Sequence, residues 1–268
     1  MPATSSQPSK RPGAGRRKTD APKLLPVHHD PNHSLAEGVY DTLRIGLMSG
    51  AILPGMSLTS RSLSEALGVS ATPVRDALKQ LEAEGALRSK SKSAFFVNDP
   101  DQKEFEDILQ IRLMLEGLAI RRAAQVATAE MLEPIRELNK GYDELLRTRK
   151  GNLANALVPN FKFHFLIYCL ADSDILVKMI ENTWTRIGPV LHKFYTASDL
   201  LEVSASAHWM MLDALARNDP DAAEAALRQD IVNASRDILP MLLPPSPKRA
   251  ARAMPTFLAL ADLADGVH

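Results

Sequence analysis

The chain has 268 residues, 45% of them hydrophobic and 24% charged, which is typical of a globular protein of one or two domains. Its 32 basic and 32 acidic residues give zero formal net charge, so overall charge does not indicate a nucleic-acid partner. No apolar run has membrane-spanning length, and the basic N-terminus lacks the apolar segment of a secretory signal. The single Cys169 excludes an intrachain disulfide and fits the reducing cytoplasm, which is the predicted location.

Both ends of the chain have the composition of tails. Residues 1–34 are rich in Pro, Ser, Lys and Arg, which predicts a disordered basic tail. Its role is either solubility or that of a basic arm adding non-specific affinity for DNA. Residues 244–268 are predicted to form a C-terminal tail, in which 255–265 has the pattern of a short amphipathic helix.

Residues 35–99 have the pattern of a small domain with three helices and a β-hairpin. Helices are predicted at 35–49, 61–67 and 71–84, and strands around Leu87 and at 94–97. Ser60 and Ser70 are the expected N-caps of the second and third helices, and Gly68 ends the second. Two short helices about a tight turn, followed by a hairpin, are the layout of a winged helix-turn-helix.

This layout predicts an interface with double-stranded DNA. The candidate DNA contacts are Arg61, Ser70, Ala71, Thr72, Arg75, Lys90 and Lys92. Backbone N–H groups at the start of the third helix favour phosphate, and Arg75 has the donor geometry to read guanine O6 and N7. Lys90 and Lys92 at the hairpin tip suit contacts to the DNA backbone or minor groove. The alternative is an ordinary helical hairpin with a solvated charged face.

Residues 40–97 resemble the DNA-binding domain of the GntR family of bacterial transcription regulators. The matching segments are YDTLR at 40–44, GAILPG at 50–55, LSEALGVS at 63–70, TPVRDAL at 72–78 and LEAEG at 81–85. Two positions depart from the family pattern. Ala71 stands where Arg is usual, which predicts an altered operator sequence, and Ser93 stands where the wing usually has Gly.

Residues 100–243 are predicted to form an all-α antiparallel bundle. Its helices are expected at 102–125, 128–149, 153–170, 174–195, 197–217 and 220–239. Pro189 lies within the fourth and predicts a kink. The predicted fold class is therefore mostly α, with an N-terminal winged helix-turn-helix domain and a C-terminal all-α antiparallel helical bundle.

Four polar residues of this bundle occupy positions where apolar residues are expected. Asn160 and His164 share one helix face, while His208 and Asp230 lie on two other helices among apolar neighbours. Nitrogen and oxygen ligands from several helices can converge to hold a metal inside a bundle. Spacing alone favours ordinary hydrogen-bonded residues over a metal site.

Residues 102–240 resemble the FCD effector domain of the FadR subgroup within the GntR family. The resemblance rests on RLMLE at 112–116, on Asn160 before the Phe-His pair at 163–164, and on His208 with the segments after it. In many members a carboxylate and three His residues hold a divalent metal that helps to bind a small organic acid. The corresponding residues here are Asn160 for the carboxylate, His164 and His208, and Asp230 for the third His.

These departures change the expected cofactor. The resemblance implies a divalent metal such as zinc, nickel or manganese, but only two imidazoles remain and Asn160 offers a weak, neutral oxygen. Affinity for zinc or nickel is expected to fall, and ions that prefer oxygen are relatively less disfavoured. A metal-free alternative stays open, in which His164, His208 and Asp230 bind a carboxylate or polar ligand directly.

Arg112 and Glu116 lie four residues apart on the first helix of the bundle. They are expected to form an intrahelical pair that braces the bundle, and Arg112 is also a candidate for pairing with an effector carboxylate. The predicted effector-binding residues are therefore Arg112, His164 and His208. Tyr168 and Trp184 are expected in the core or at the wall of the same pocket.

Together these features predict a cytoplasmic, homodimeric transcription regulator, more often a repressor in such families, that is not an enzyme and has no membrane partner. The dimer would read an inverted repeat in double-stranded DNA, and a small organic acid in the helical domain would modulate operator affinity. Two alternatives remain open: a metal-dependent enzyme using His164, His208 and Asp230, or a regulator with a vestigial pocket.

Overall fold

The computed structural model describes residues 24, 26–27, 34–91, 94–148, 153–197 and 201–244. The predictions for residues 1–23, for the helix at 255–265, and for Lys92 and Ser93 lie outside the described residues. Within the described ranges, two helical bodies with separate hydrophobic cores carry one small antiparallel sheet. The predicted fold class is confirmed.

The described part of the N-terminal body contains three helices and three strands. They are α1 (Leu35–Met48), β1 (Ser57–Thr59), α2 (Ser60–Leu67), α3 (Ala71–Ala83), β2 (Leu87–Ser91) and β3 (Ala94–Val97). The sheet has the order β1-β3-β2, with Leu58 opposite Phe95 and Leu87 opposite Val97. The strand β1 was not predicted. Leu24 and Val27 pack against the core of this body, so part of the segment predicted as a disordered tail belongs to the folded domain.

Local capping explains where these helices begin. Ser34 and Glu37 form a capping box, in which the Ser34 hydroxyl accepts from the Glu37 amide at 3.2 Å. The cap of α2 is Thr59 and not Ser60 as predicted, because the Thr59 hydroxyl accepts from the Ser62 amide at 3.1 Å. Gly68 ends α2 with a φ of +69°, a conformation that glycine adopts without strain.

In its described residues, the C-terminal body contains six α-helices. They are α4 (Gln102–Val126), α5 (Ala129–Thr148), α6 (Leu157–Cys169), α7 (Asp174–Ala197), α8 (Leu201–Ala216) and α9 (Pro220–Ile238). The helix expected at 153–170 is divided, since Leu153–Ala156 forms a 3-10 turn before α6. Ala197, the predicted start of the fifth helix, is the last residue of α7, and α8 is described from Leu201. None of the helices in the described ranges combines the length and apolarity needed to cross a membrane.

The two bodies meet where α1 packs against α7. A side chain at Gly188 would place its Cβ 2.3 Å from the carbonyl oxygen of Leu47, so this close approach of the two backbones requires glycine. Nearby, Arg44 Nη1 lies 2.6 Å from Glu181 Oε2. The guanidinium of Arg186 donates to the carbonyl of Glu84 at the C-terminal end of α3. The helix α7 therefore belongs to the bundle core and also contacts the N-terminal body.

Candidate functional site

The N-terminal end of α3 is an exposed polar surface. Val74, Ala77, Leu78 and Leu81 form the buried face of α3, which packs on α1. The opposite side presents Ser70, Ala71, Thr72 and Arg75, all exposed. This arrangement follows from helical periodicity, which separates the apolar positions from the polar ones.

The polar groups at this helix end are free for an external partner. Ser70 is the N-cap of α3, as predicted, and has the extended backbone of that position. Its hydroxyl, however, makes no capping hydrogen bond. The first amides of a helix lack intrahelical partners and favour anions. Arg75 forms no ion pair with any described residue. Arg61 on α2 is exposed and pairs with Glu65 at 3.1 Å, while the side chains of Lys90 and Lys92 lie outside the described set.

A second polar site is buried inside the bundle. His164 of α6, His208 of α8 and Asp230 of α9 each place one potential ligand atom within 4.8 Å of the others. His164 Nε2 lies 3.4 Å from Asp230 Oδ2. Asn160, one turn before His164, lines the same cavity, as does Arg112 of α4. The structure therefore brings all the residues predicted for the metal and effector site together.

The ring of His208 is held with one nitrogen available to a ligand. Its Nδ1 lies 2.9 Å from the amide oxygen of Asn139, and the ring stacks on Phe163 at 3.9 Å and on Tyr142 at 4.8 Å. Its Nε2 is buried and has no hydrogen-bond partner among the described residues. Burial lowers the pKa of His208 from 6.5 to about 3, so the ring is neutral at pH 7. With Nδ1–H donating to Asn139, Nε2 carries a lone pair, as a metal ligand requires.

His164 is held in the same way through Tyr168. The Tyr168 hydroxyl donates to Glu116 Oε2 and lies 3.1 Å from His164 Nδ1. Because the single hydroxyl proton of Tyr168 goes to the carboxylate, its oxygen accepts from His164 Nδ1–H. Burial, reinforced by the Glu116 charge, raises the pKa of Tyr168 well above 10, which keeps this proton in place. His164 Nε2 is thereby turned toward Asp230.

Glu116 is the centre of the network behind the histidines. It accepts from Arg112 Nε at 2.6 Å and Nη2 at 3.3 Å, from Trp184 Nε1 at 3.0 Å, and from Tyr168. The predicted Arg112–Glu116 pair is confirmed, and the Arg112 guanidinium also lies 4.9 Å from the ring of Trp184. These four donors offset the cost of removing the Glu116 carboxyl group from water. Glu116 therefore holds both the Arg112 guanidinium and the Tyr168 hydroxyl in position.

The cavity beside this cluster is small. Its volume is about 20 Å³, and its apolar wall includes Trp184, Leu191 and Ile231. A single water occupies about 10–15 Å³ on the same measure, so there is room for one water or one ion. An organic acid requires the surrounding helices or side chains to move apart.

The donor set fits a divalent cation. Two imidazoles and one carboxylate from three different helices form a ligand set suited to transition metals. The buried Nε2 of His208 is the strongest sign, since an unpaired polar atom in a core is otherwise costly. Asn160 adds a neutral oxygen at most.

Sequence reasoning missed one supporting residue whose signal was visible. Asn139 stands on the apolar face of α5, at helical spacing from Leu132, Ile135, Tyr142 and Leu146, all of them buried. A polar residue at such a position indicates a buried hydrogen bond. Its partner, His208, is 69 residues away and is not readable from spacing.

Comparisons with known proteins identify both domains. The family model described as "Bacterial regulatory proteins, gntR family" matches residues 35–97, and the FCD domain model matches residues 107–233. The HTH-type transcriptional regulator McbR of Escherichia coli is 31% identical over 221 residues, covering 81% of this chain and 93% of that protein. The HTH-type transcriptional repressor RspR of the same organism is 25% identical over 209 residues, covering 78% and 91%.

The solved structure of E. coli McbR/YncC superposes with a TM-score of 0.72 at 30% identity, covering 78% of this chain and 99% of that one. The relatives are named as transcription regulators, which decides against the alternative of a metal-dependent enzyme. The chain belongs to the GntR family of bacterial transcription regulators, with an N-terminal helix-turn-helix domain and a C-terminal FCD domain.

Proposed function

We propose that this protein is a homodimeric repressor whose operator affinity is modulated by a small organic acid bound with a divalent cation in the FCD domain. The observation that carries the proposal is the buried, unpartnered Nε2 of His208 beside His164 and Asp230. The name of the relative RspR supports repression as the direction of control. The alternative, which the effector experiment below tests, is a regulator whose pocket is vestigial and responds to no ligand.

The residues of the cluster have separate roles in this proposal. His164, His208 and Asp230 hold the cation, and Asn160 is positioned to add a weak fourth ligand. The bound cation supplies positive charge that attracts an effector carboxylate. Arg112 lines the same cavity, so its guanidinium contributes a second positive group to the anion.

The supporting residues keep the site ready for binding. Asn139 and Tyr168 each accept the Nδ1 proton of a histidine, which turns both Nε2 atoms toward the cation site. Such outer partners orient ligands and raise their basicity. The site therefore needs no rearrangement of its histidines before a cation enters.

The helix α7 provides a physical route from this site to the DNA-binding domain. Trp184, Leu191 and Tyr195 form part of the cavity wall. On the same helix, Glu181 pairs with Arg44 of α1, and Arg186 donates to the end of α3. A ligand larger than the cavity must move its walls, and movement of α7 changes the pose of α3. Coupling of this kind is reciprocal and typically amounts to about 1–3 kcal/mol.

At the other end of this route, α3 is proposed to enter the major groove. Ser70, Ala71, Thr72 and Arg75 are exposed at its N-terminal end and contact bases and phosphates in this proposal. A two-fold dimer presents two such helices, so the expected operator is an inverted repeat.

The metal site is tested by zinc binding measured in competition with a chromophoric chelator. We expect one zinc ion per wild-type chain and at least about tenfold weaker binding for His164→Ala, because a buried ligand is lost. The matched control is His192→Ala, since His192 is a half-buried histidine of α7 outside the cluster. Equal zinc affinity in wild type and His164→Ala contradicts the assignment.

The effector is tested by thermal shift against a panel of small organic acids, each with zinc and with EDTA. A stabilising acid should also change the affinity of the protein for a duplex carrying its operator, identified by footprinting upstream of its own gene. An acid that raises the melting temperature only with zinc supports the proposed ligand mode. A full panel without any shift supports the vestigial pocket.

A further inference from the structure

The segment that precedes α1 is seated beside the turn of the helix-turn-helix. Leu24 and Val27 pack on the core of the N-terminal body. With Pro26, they line a groove whose other wall is formed by residues 66–69, the end of α2 and the turn into α3. The last of these residues directly precedes Ser70, the N-cap of α3. Leu24 therefore lies close to the helix end that is proposed to contact DNA.

The position of Leu24 depends on a glycine of α1. A Cβ added at Gly46 would lie 2.8 Å from the Leu24 side chain, well inside the distance at which carbon atoms normally pack. The side chain of Ile52 lies 3.0 Å from the same point and fills the other side of this space. Because Gly46 has no side chain, Leu24 can reach the core, and the position of this segment is part of the fold.

Residues 1–23, which lead into this anchored segment, are strongly basic. Their charged residues are the bases Lys10, Arg11, Arg16, Arg17, Lys18 and Lys23 and the single acid Asp20. Because the whole chain has 32 basic and 32 acidic residues, residues 24–268 carry more acidic than basic side chains. The zero net charge of the chain therefore conceals a basic segment joined to an acidic remainder.

The place where this basic segment is anchored favours DNA as its partner over the acidic part of its own chain. A duplex held at the start of α3 brings a dense row of phosphates to that side of the domain, about one charge per 1.7 Å of helix axis. Leu24 is packed beside the same helix end, so the basic residues are tethered close to those phosphates. Tethering makes the second contact intramolecular, which raises the effective concentration of the basic residues at the duplex to about the millimolar range.

We propose that residues 1–23 are a DNA-binding arm that contacts phosphates of the duplex flanking the site of α3, and that Leu24 and Val27 anchor this arm. The inference rests on the proposed entry of α3 into the major groove and adds a second contact to it. Lys and Arg side chains that neutralise phosphates release counterions, which strengthens binding to any duplex. The arm therefore contributes affinity, while the preference for one sequence comes from α3.

The test compares the full chain with a neutral-arm variant, in which all the Lys and Arg residues of 1–23 are replaced by Gln. Fluorescence anisotropy measures the dissociation constants for the operator and for a scrambled duplex across a series of salt concentrations. The neutral-arm variant should bind both duplexes at least about tenfold more weakly at low salt, and its plot of log K against log salt should be less steep by roughly 4–5. A variant with the residues of the arm in permuted order keeps the charges and should bind like wild type.

The anchor is tested by the double variant Leu24→Ser with Val27→Ser, which keeps every charge of the arm. Affinity for both duplexes should fall by at least about threefold, because the arm is then tethered through a longer stretch of chain and its effective concentration is lower. Pro26→Ser changes an exposed residue of the same segment and should leave the affinity unchanged. Circular dichroism melts confirm folding, and Leu24→Ala, which is the milder change, replaces the double variant if that variant unfolds.

Each of four results would overturn the inference. An unchanged salt dependence in the neutral-arm variant would show that the arm makes no phosphate contacts. Tighter binding by that variant would show that the arm covers the DNA-binding surface of its own chain. A changed ratio of the affinities for the two duplexes would show that the arm reads bases. Wild-type affinity in the anchor variant would show that Leu24 and Val27 do not position the arm.

The outcome is separable from that of the proposed function. A chain whose operator affinity responds to zinc and an organic acid, but whose salt dependence ignores the charges of 1–23, removes only the arm. A chain whose duplex binding depends on the arm, but which neither binds zinc nor responds to any acid, leaves the arm standing and removes the proposed effector control.

Discussion

The helix-turn-helix and FCD domains each carry an arginine and a glutamate four residues apart on a helix, and the two pairs differ in burial. Arg61 and Glu65 are 91% and 68% exposed and lie 3.1 Å apart. Arg112 and Glu116 are 8% and 0% exposed and lie 2.6 Å apart. Water solvates the first pair if it separates, whereas the second depends on protein donors for its charge. The same spacing therefore gives a solvated ion pair that can separate in one domain and a buried hydrogen-bond network that cannot in the other.

This difference extends to the functional residues of each domain. At the end of α3, Arg75 is exposed and its role depends on a molecule outside the chain. In the bundle, each buried polar atom needs a partner, so the unpaired Nε2 of His208 is informative by itself. Physical reasoning identifies the buried site from its internal contacts, while the exposed site is identified by its family motif and its helix end.

The largest expected effect separates the two ion pairs. Glu116→Ala leaves the Arg112 guanidinium buried without its carboxylate and should lower the free energy of unfolding by about 3–5 kcal/mol. Glu65→Ala should cost less than about 1 kcal/mol, because its partner is solvated. Urea unfolding of both variants measures the difference. Equal losses would show that burial does not distinguish the two domains in this way.

The next effect concerns the acid stability of the FCD domain. His208 binds a proton near pH 6.5 when unfolded but only at about pH 3 when folded, so acid favours unfolding. Between these values His208 should reduce the free energy of unfolding by about 1.4 kcal/mol per pH unit as the pH falls. Replacing the ring in His208→Leu removes this contribution. Urea unfolding in EDTA from pH 7 to pH 5 measures how the free energy of unfolding depends on pH in wild type and in His208→Leu. Identical slopes for the two proteins would show that the His208 ring is not held neutral.

The fold was predictable from the sequence wherever the signal was local. Helical periodicity, the Asp219–Pro220 start of α9 and the glycine after α2 predicted most helices to within a few residues. The three-residue strand β1 is too short for a period-two pattern, and adjacent hydroxyls at Thr59 and Ser60 are equivalent as cap candidates until the backbone is known. Local patterns are weakest at such short elements and boundaries.

The buried site was only partly predictable, because its contacts join distant parts of the chain. The apolar pattern of the helices singled out Asn160, His164, His208 and Asp230, but only family resemblance gave them a role in metal binding. The hydrogen bond from Trp184 to Glu116 spans 68 residues, and the bond from Tyr168 to Glu116 spans 52. No local pattern encodes which side chains meet across helices. The closed cavity was likewise not predicted, since its size depends on how the helices pack.

The last expected effect tests the exposed side of the comparison. Arg75→Ala should weaken operator binding by about 1–3 kcal/mol and relax preference for the contacted base pair, because one bidentate base contact is lost. The melting temperature should not change, since the Arg75 side chain is exposed and has no ion-pair partner in the described structure.

Lys79→Ala, one turn farther along the exposed side of α3, is the matched control and should weaken binding to all duplexes alike if it contacts phosphate. Fluorescence anisotropy with the operator and a scrambled duplex, at one salt concentration, measures both effects. A loss of stability in Arg75→Ala, or a uniform loss of affinity for both duplexes, would mean that Arg75 is not a base-reading residue.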